Sequence, residues 1–240
     1  MSPSPTGARR RLDASDRPRS RRRPSTLLVV GLVLLTAGLG CLGWVVYQYV
    51  GTNVVAERSF DTQRQDLKSR WTEPSVSPSA RPSARSAAPR TADPGHAAAL
   101  LRIPRFGADY EVPIIEGTTL DDLAKGVGHY SGTAGPGGLG NFALAGHRVT
   151  HGQPFAHLLE LDQGDQVIVE TAAATYTYVL DTAPRDLTVT DTAGWVLDPV
   201  PGEPDATPGR SLLTLTTCQD LFHSPDRSVA FGHLASTQNK

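Results

Sequence analysis

"SLLTLTTC", Ser211 to Cys218, and "RSVAFGHL", Arg227 to Leu234, decide how this chain folds. Both runs are rich in aliphatic and β-branched residues, and the stretch between them, Gln219 to Asp226, holds the proline, serine and aspartate of a turn. Paired antiparallel, they place Cys218 at the end of one strand and Arg227 at the start of its neighbour, with about 4.8 Å between strand axes. The period of two puts Leu212, Thr214, Thr216 and Cys218 on one face, and Leu213, Leu215 and Thr217 on the other. The first set is the more polar, so the thiol is expected to look into a wet groove. An arginine beside it has a chemical use: its fork can donate hydrogen bonds to the oxyanion that forms when a thiolate attacks a carbonyl. The bland readings are a buried filler cysteine and an exposed strand-end arginine.

Working outward, "LLRIPRF" (100–106) and "YEVPIIEG" (110–117) read as short strands broken by prolines, which suits edges and bulges. "TLDDLAKGV" begins with Thr119 as an N-cap and carries Asp121 and Asp122 in its first turn, the pattern of a short helix. "NFALAGH" (141–147) is a strand, and "PFAHLLEL" (154–161) a turn of helix. "GDQVIVE" (164–170) and "TYTYVLD" (175–181) form a hairpin, and 195–210 is a loop rich in proline and glycine. Many short strands, few helices and regular turn signals predict a mainly all-β domain, a closed or nearly closed β-barrel.

The N-terminal third is different. Residues 1–25 hold eight arginines against two aspartates, although the whole chain is nearly balanced at net charge −1. Leu27 to Tyr47 follows with no charged residue. About 21 helical residues cross the roughly 30 Å hydrocarbon core of a bilayer. Trp44, Tyr47 and Tyr49 gather at its far end, where amphipathic rings suit an interface. The arginines are expected to stay in the cytoplasm, placing the rest of the chain outside. A cleaved signal peptide would have a shorter apolar core and small residues at its cleavage site. The basic arm beside an apolar run therefore points to a membrane, with no nucleic-acid partner. Residues 51–70 read as a weakly amphipathic juxtamembrane helix. Glu73 to Gly95 is a Pro/Ser/Ala/Arg-rich linker that cannot bury enough surface to order itself. The organisation expected is a cytoplasmic basic tail (1–25), a transmembrane helix (26–50), a helix and linker (51–96), and an extracellular catalytic domain (97–240).

Cys41 lies inside the apolar run, so the two cysteines, Cys41 and Cys218, cannot pair. An exported protein that keeps a free thiol calls for a reason. No C-x-x-C or H-E-x-x-H pattern occurs, no phosphate loop and no dinucleotide fingerprint, so neither a metal nor a cofactor is expected. Among the histidines, His147 ends a strand after a glycine, His151 follows it closely, and His129 could line a groove; spacing does not choose among them.

Taken together, "TLTTC" with an arginine nine residues after the cysteine, and "GNFALAGHR" upstream, resemble the sortases. "GVGHYSGTAGPGGLGN", "HRVTHGQPF" and "LELDQGDQVIVE" are similar to class E, found in high-GC Gram-positive bacteria. The resemblance covers about Leu100 to Leu234. It implies an eight-stranded barrel and a membrane-anchored cysteine transpeptidase acting on the cell wall. It also implies His147, Cys218 and Arg227 as the catalytic residues. The implied substrates are secreted proteins ending in a Leu-Ala-x-Thr-Gly signal, or the Leu-Pro-x-Thr-Gly of other classes, and the acceptor is an amine of a peptidoglycan precursor. Tyr130 in "GHY" matches the tyrosine that favours alanine in the signal, and His129, Thr216 and Thr217 are its expected companions in substrate binding. Two positions depart from the class: Asp220 stands where proline often follows the cysteine by two, and Ser131 where proline often follows the tyrosine. With reference pKa values near 8.5 for the thiol and 6.5 for imidazole, each is about 10% in its reactive form at pH 7.5. Only about 1% of enzyme would then hold both, which implies a slow reaction with a bell-shaped pH profile. The rivals are a secreted cysteine peptidase releasing product to water, and a non-catalytic binding module on the same barrel.

Overall fold

The computed structural model describes residues 25–72, 93–218 and 225–240, with Cys218 described through its backbone. The basic tail, most of the linker, and His223 with the rest of Gln219–Ser224 lie outside the described residues. The chain divides into two units, Met1–Trp44 and Val45–Lys240. The first is occupied by helix α1, Thr26–Val46, part of a helical stretch long and apolar enough to cross a membrane.

In the second unit a π turn, Tyr47–Gly51, leads into α2, Thr52–Thr72. The weak amphipathicity of this helix resolves into a single stripe: Asn53, Ala56, Phe60, Arg64, Leu67 and Trp71 recur every three or four residues and so share one side. Ala56, Phe60 and Leu67 are buried there. Further along, Lys68 Nζ donates to Glu111 Oε1 at 2.6 Å, and Arg102 donates to Glu111 Oε2 at 2.7 Å.

The strands are β1 (Ala97–Arg102), β2 (Val112–Glu116), β3 (Val127–His129), β4 (Gly140–Ala145), β5 (Gln166–Glu170), β6 (Ala174–Leu180), β7 (Thr188–Thr190), β8 (Ser211–Cys218) and β9 (Asp226–Asn239). They are bonded in the order β6-β5-β1-β2-β3-β4-β8-β9, and β9 pairs back onto β6. That seam closes eight strands into a barrel, as expected, with β7 attached to β9 beside the ring. β9 is long because it does double duty. Arg227–His233 pairs with β8, and Gly232–Asn239 pairs with β6.

Leu101, Ile114, Phe142, Leu144, Val169, Tyr178, Leu213 and Leu215 meet in the main core. Each such side chain contributes about 1.5–3 kcal/mol by leaving water. Leu100 and Ile115 form a second cluster with Ala97, Leu67 and Trp71 of α2. β1 and β2 are thus covered on both faces, which is why "AAALL" and "VPII" show no alternation. The expected helix at 119–127 is the short α3, Leu120–Leu123. Thr119 caps it, and the Asp122 side chain returns to the Thr119 backbone N–H, a capping box. "PFAHLLEL" holds a 3-10 turn at Leu158–Glu160.

Candidate active site

Three neighbouring strands present the expected residues at one rim. β4 and β8 run parallel, in register from Gly140 with Ser211 to Ala145 with Thr216. Two residues past that last pair stand His147, just beyond the end of β4, and Cys218, the last residue of β8. The pairing continues across the gap: the Gly146 N–H donates to Thr216 O at 3.1 Å, and the Thr217 hydroxyl donates to Gly146 O at 2.8 Å. On the other side of β8, Cys218 is the register partner of Arg227 on β9. The cysteine therefore lies on the middle strand, flanked by the histidine strand and the arginine strand at spacings of about 4.8 Å.

Arg227 is half-buried. Its Nη1 donates to Asp226 O at 3.1 Å, and its Nη2 lies 4.0 Å from Asp191 Oδ2, just past β7. Three-residue β7 anchors the arginine backbone from outside, with Val189 opposite Arg227.

His147 opens a tight turn that ends at Phe155, whose N–H donates to His147 O at 2.9 Å while its ring is fully buried. Within the turn, His151, Gly152 and Gln153 have φ of 54°, 75° and 41°. Three consecutive residues in the left-handed region, two of them not glycine, are strained unless their surroundings hold them. The His151 ring stacks on His147 with centroids 4.7 Å apart and planes inclined by 25°. Burial pushes the His151 imidazole below its ordinary value, which favours the neutral ring. No group of three or more metal-capable side chains occurs among the described residues.

Thr216 and Thr217 are buried, and Tyr130 is half-buried. Tyr130 Oη lies 3.3 Å from Thr216 Oγ1, and the Thr216 hydroxyl reaches Leu144 O at 3.2 Å. The expectation of a wet groove along this face of β8 does not hold for its threonines. Thr214 is fully buried and donates to Asn141 Oδ1 at 2.7 Å, while Asn141 donates to Val196 O at 2.9 Å. The segment around Val196 roofs the strand, and side-chain hydrogen bonds replace water, as burial of hydroxyls requires.

His129 sits inside the barrel wall. Its Nδ1 is 2.7 Å from Glu116 Oε2, and its Nε2 is 3.0 Å from both Ala134 O and Thr133 Oγ1. Ser131 donates to the other Glu116 oxygen at 2.8 Å. The ring shapes the turn that carries Tyr130 through its neighbours, with both nitrogens engaged. Glu116, Thr133 and Asn141 carry no mark in the sequence beyond the carboxylate that closes the apolar run "VPIIE". Of the other histidines, His157 pairs with Glu160, and His233 pairs with Asp181 beside Leu212 at the opposite end of β8.

The Sortase domain family matches residues 101–235, which hold the barrel. The chain belongs to the sortase family. Within it the likeness is to class E. Sortase SrtE1 of Streptomyces coelicolor is 34% identical over an alignment taking in 93% of this chain and 62% of that protein. The chain thus spans about three-fifths of that relative's length. Sortase E of Streptomyces avermitilis is 40% identical, with a TM-score of 0.56 over 62% of this chain and 93% of that structure. Sortase E1 of Streptomyces coelicolor, solved with a tripeptide in its active site, is 37% identical, with a TM-score of 0.53 over 61% of this chain and 92% of that structure.

Proposed function

We propose that this chain is a membrane-anchored transpeptidase that cuts a C-terminal sorting signal between threonine and glycine and joins the protein to a cell-wall amine. The Cys218 thiolate attacks the threonine carbonyl, and the guanidinium of Arg227 stabilises the oxyanion. As the C–N bond breaks, His147 as imidazolium gives its proton to the departing glycine amine. The acceptor amine then attacks the thioester, loses a proton to the neutral imidazole, and expels the thiolate, so the enzyme is regenerated. The signal is of the Leu-Ala-x-Thr-Gly kind, read in part by Tyr130 beside Thr216. His129 and Thr217 serve the same region from within the wall. The arginine tail stays in the cytoplasm, α1 spans the bilayer, and the barrel works outside.

The observation that carries this reading is the placement of His147, Cys218 and Arg227 at adjacent ends of β4, β8 and β9. The test is trapping. Incubated with a Leu-Ala-x-Thr-Gly peptide, the protein is expected to gain the mass of the acyl fragment on Cys218, and to form ligated product when an amine is added. Hydrolysed product alone, whatever the amine, would make it a peptidase. A Cys218→Ala variant that still joins peptide to amine would remove the thiol from the reaction.

A further inference from the structure

The helix that follows the apolar segment also reaches the turn that begins at His147. Asn53, in the first turn of α2, accepts from the Gly152 N–H through Oδ1 at 2.9 Å and offers Nδ2 to Val149 O at 3.4 Å. One side chain thus bridges residues 149 and 152 of the turn. Below it the Phe60 ring and Ala56 pack against Gly152 so closely that a Cβ there would sit 2.6 Å from Phe60 Cε2 and 3.3 Å from Ala56 Cβ. From the barrel side, the Tyr110 hydroxyl donates to Pro154 O at 2.7 Å. The three left-handed residues, 151–153, are therefore clamped between α2 and the barrel, and the clamped turn stacks His151 on His147.

We propose that α2 is a working part of the active site, with Asn53 and Phe60 as positioning residues that fix the His147 imidazole by holding the 149–153 turn in its strained form. The strain gives the argument its direction. Left-handed non-glycine residues persist only when neighbours over-determine them, and on this turn α2 supplies both a bidentate hydrogen-bonding side chain and an apolar floor. Without the helix the turn relaxes, His151 leaves the face of His147, and the imidazole loses its fixed orientation. Catalysis then suffers more than binding, because a misplacement of about 1 Å in a catalytic group can slow a reaction by up to about 100-fold. The inference rests on the transpeptidase reading for the role of His147, and its test includes readouts that do not need activity.

The full chain in detergent micelles is compared as wild type, Asn53→Ala, Asn53→Asp and Lys68→Ala. Lys68→Ala removes the bond from α2 to the Glu111 carboxylate, away from the turn. In Asn53→Ala, kcat is expected to fall about 10-fold or more with KM nearly unchanged, the Gly152 amide to lose hydrogen-exchange protection, and the His147 ring resonances of labelled histidine to shift. Asn53→Asp keeps the acceptor for Gly152 but turns a carboxylate oxygen toward the Tyr49 and Val149 carbonyls, so it should recover the Gly152 protection and the rate only in part. Lys68→Ala should match wild type. Unchanged Gly152 protection in Asn53→Ala overturns the clamp, and wild-type His147 resonances overturn the coupling, even if activity falls. If wild type itself forms no adduct on Cys218, the transpeptidase reading has failed, and exchange and resonances alone decide whether α2 holds this turn.

Discussion

His129 and Glu116 are register partners on parallel strands β3 and β2, and their side chains meet at 2.7 Å inside the barrel wall with 5% and 7% exposure. Removing the carboxylate leaves His129 Nδ1 and the Ser131 hydroxyl without their partner. Glu116→Ala is expected to lower stability by about 1–3 kcal/mol, and Glu116→Gln, which can still accept hydrogen bonds, by clearly less. Urea unfolding of the three proteins measures both; equal losses for the two variants would contradict the role of the hydrogen bonds.

Tyr130→Phe removes only the hydroxyl that lies 3.3 Å from Thr216. A stability loss of about 0.5–1.5 kcal/mol is expected, small enough to leave the fold intact. The informative quantity is selectivity. The ratio of kcat/KM for alanine- over proline-containing signal peptides should fall, and an unchanged ratio would remove Tyr130 from signal recognition.

Arg227→Lys keeps the charge and loses the planar fork. If the guanidinium holds the oxyanion, kcat should drop by about 100-fold or more while peptide KM changes little. A variant within a few-fold of wild type would mean that the residue opposite Cys218 has a structural role only.

Burial holds His151 below the ordinary imidazole value of 6.5. The unfolded chain therefore takes up this proton more readily than the folded one, so stability contributed here is complete above pH 6.5 and is lost as pH falls through the folded value. Histidine NMR titration should give a midpoint below 6.5 for His151. A midpoint at or above 6.5 would show that the ring is not desolvated.

Glu111 is held below its usual 4.5: burial opposes its charge, but the bonds from Lys68 and Arg102 outweigh that effect. Its contribution is present above pH 4.5 and disappears as acid titrates the folded carboxylate. Trp71, on the same stripe of α2, packs on the second cluster and lies under Lys240 Nζ at 4.4 Å. Its fluorescence should change in acid with a midpoint below 4.5, and Glu111→Gln should abolish that change without unfolding the barrel.

Elements whose pattern is local were legible in the sequence. Period two marked β8, β9 and the β5–β6 hairpin, the charge-free run marked α1, and Thr119 with Asp122 marked the start of α3. The pairing of Cys218 with Arg227 followed from strand length and a single turn. Strands β3 and β7 escaped because three residues show no periodicity, and β3 contains Gly128, which reads as a breaker. That glycine is required by crowding, since a Cβ would strike the Gly117 carbonyl. The threonine face of β8 looked wet because alternation reports polarity and cannot report a distant segment laid over it. Asn53 gave no signal, since nothing local distinguishes an asparagine on a helix from one gripping a loop 96 residues away.

The seam of the barrel and the arginine of the rim belong to one strand, β9, which bonds to β7 and β8 near its start and to β6 near its end. Side chains alternate along it, so a slip of one residue would turn its inner face outward at the closure and, by the same displacement, carry Arg227 off the rung of Cys218. A barrel sewn up wrongly is thus also one whose thiol has lost its guanidinium. Closure of the barrel and the geometry of the rim are set by two ladders on one strand, so a molecule misregistered along β9 would lose both.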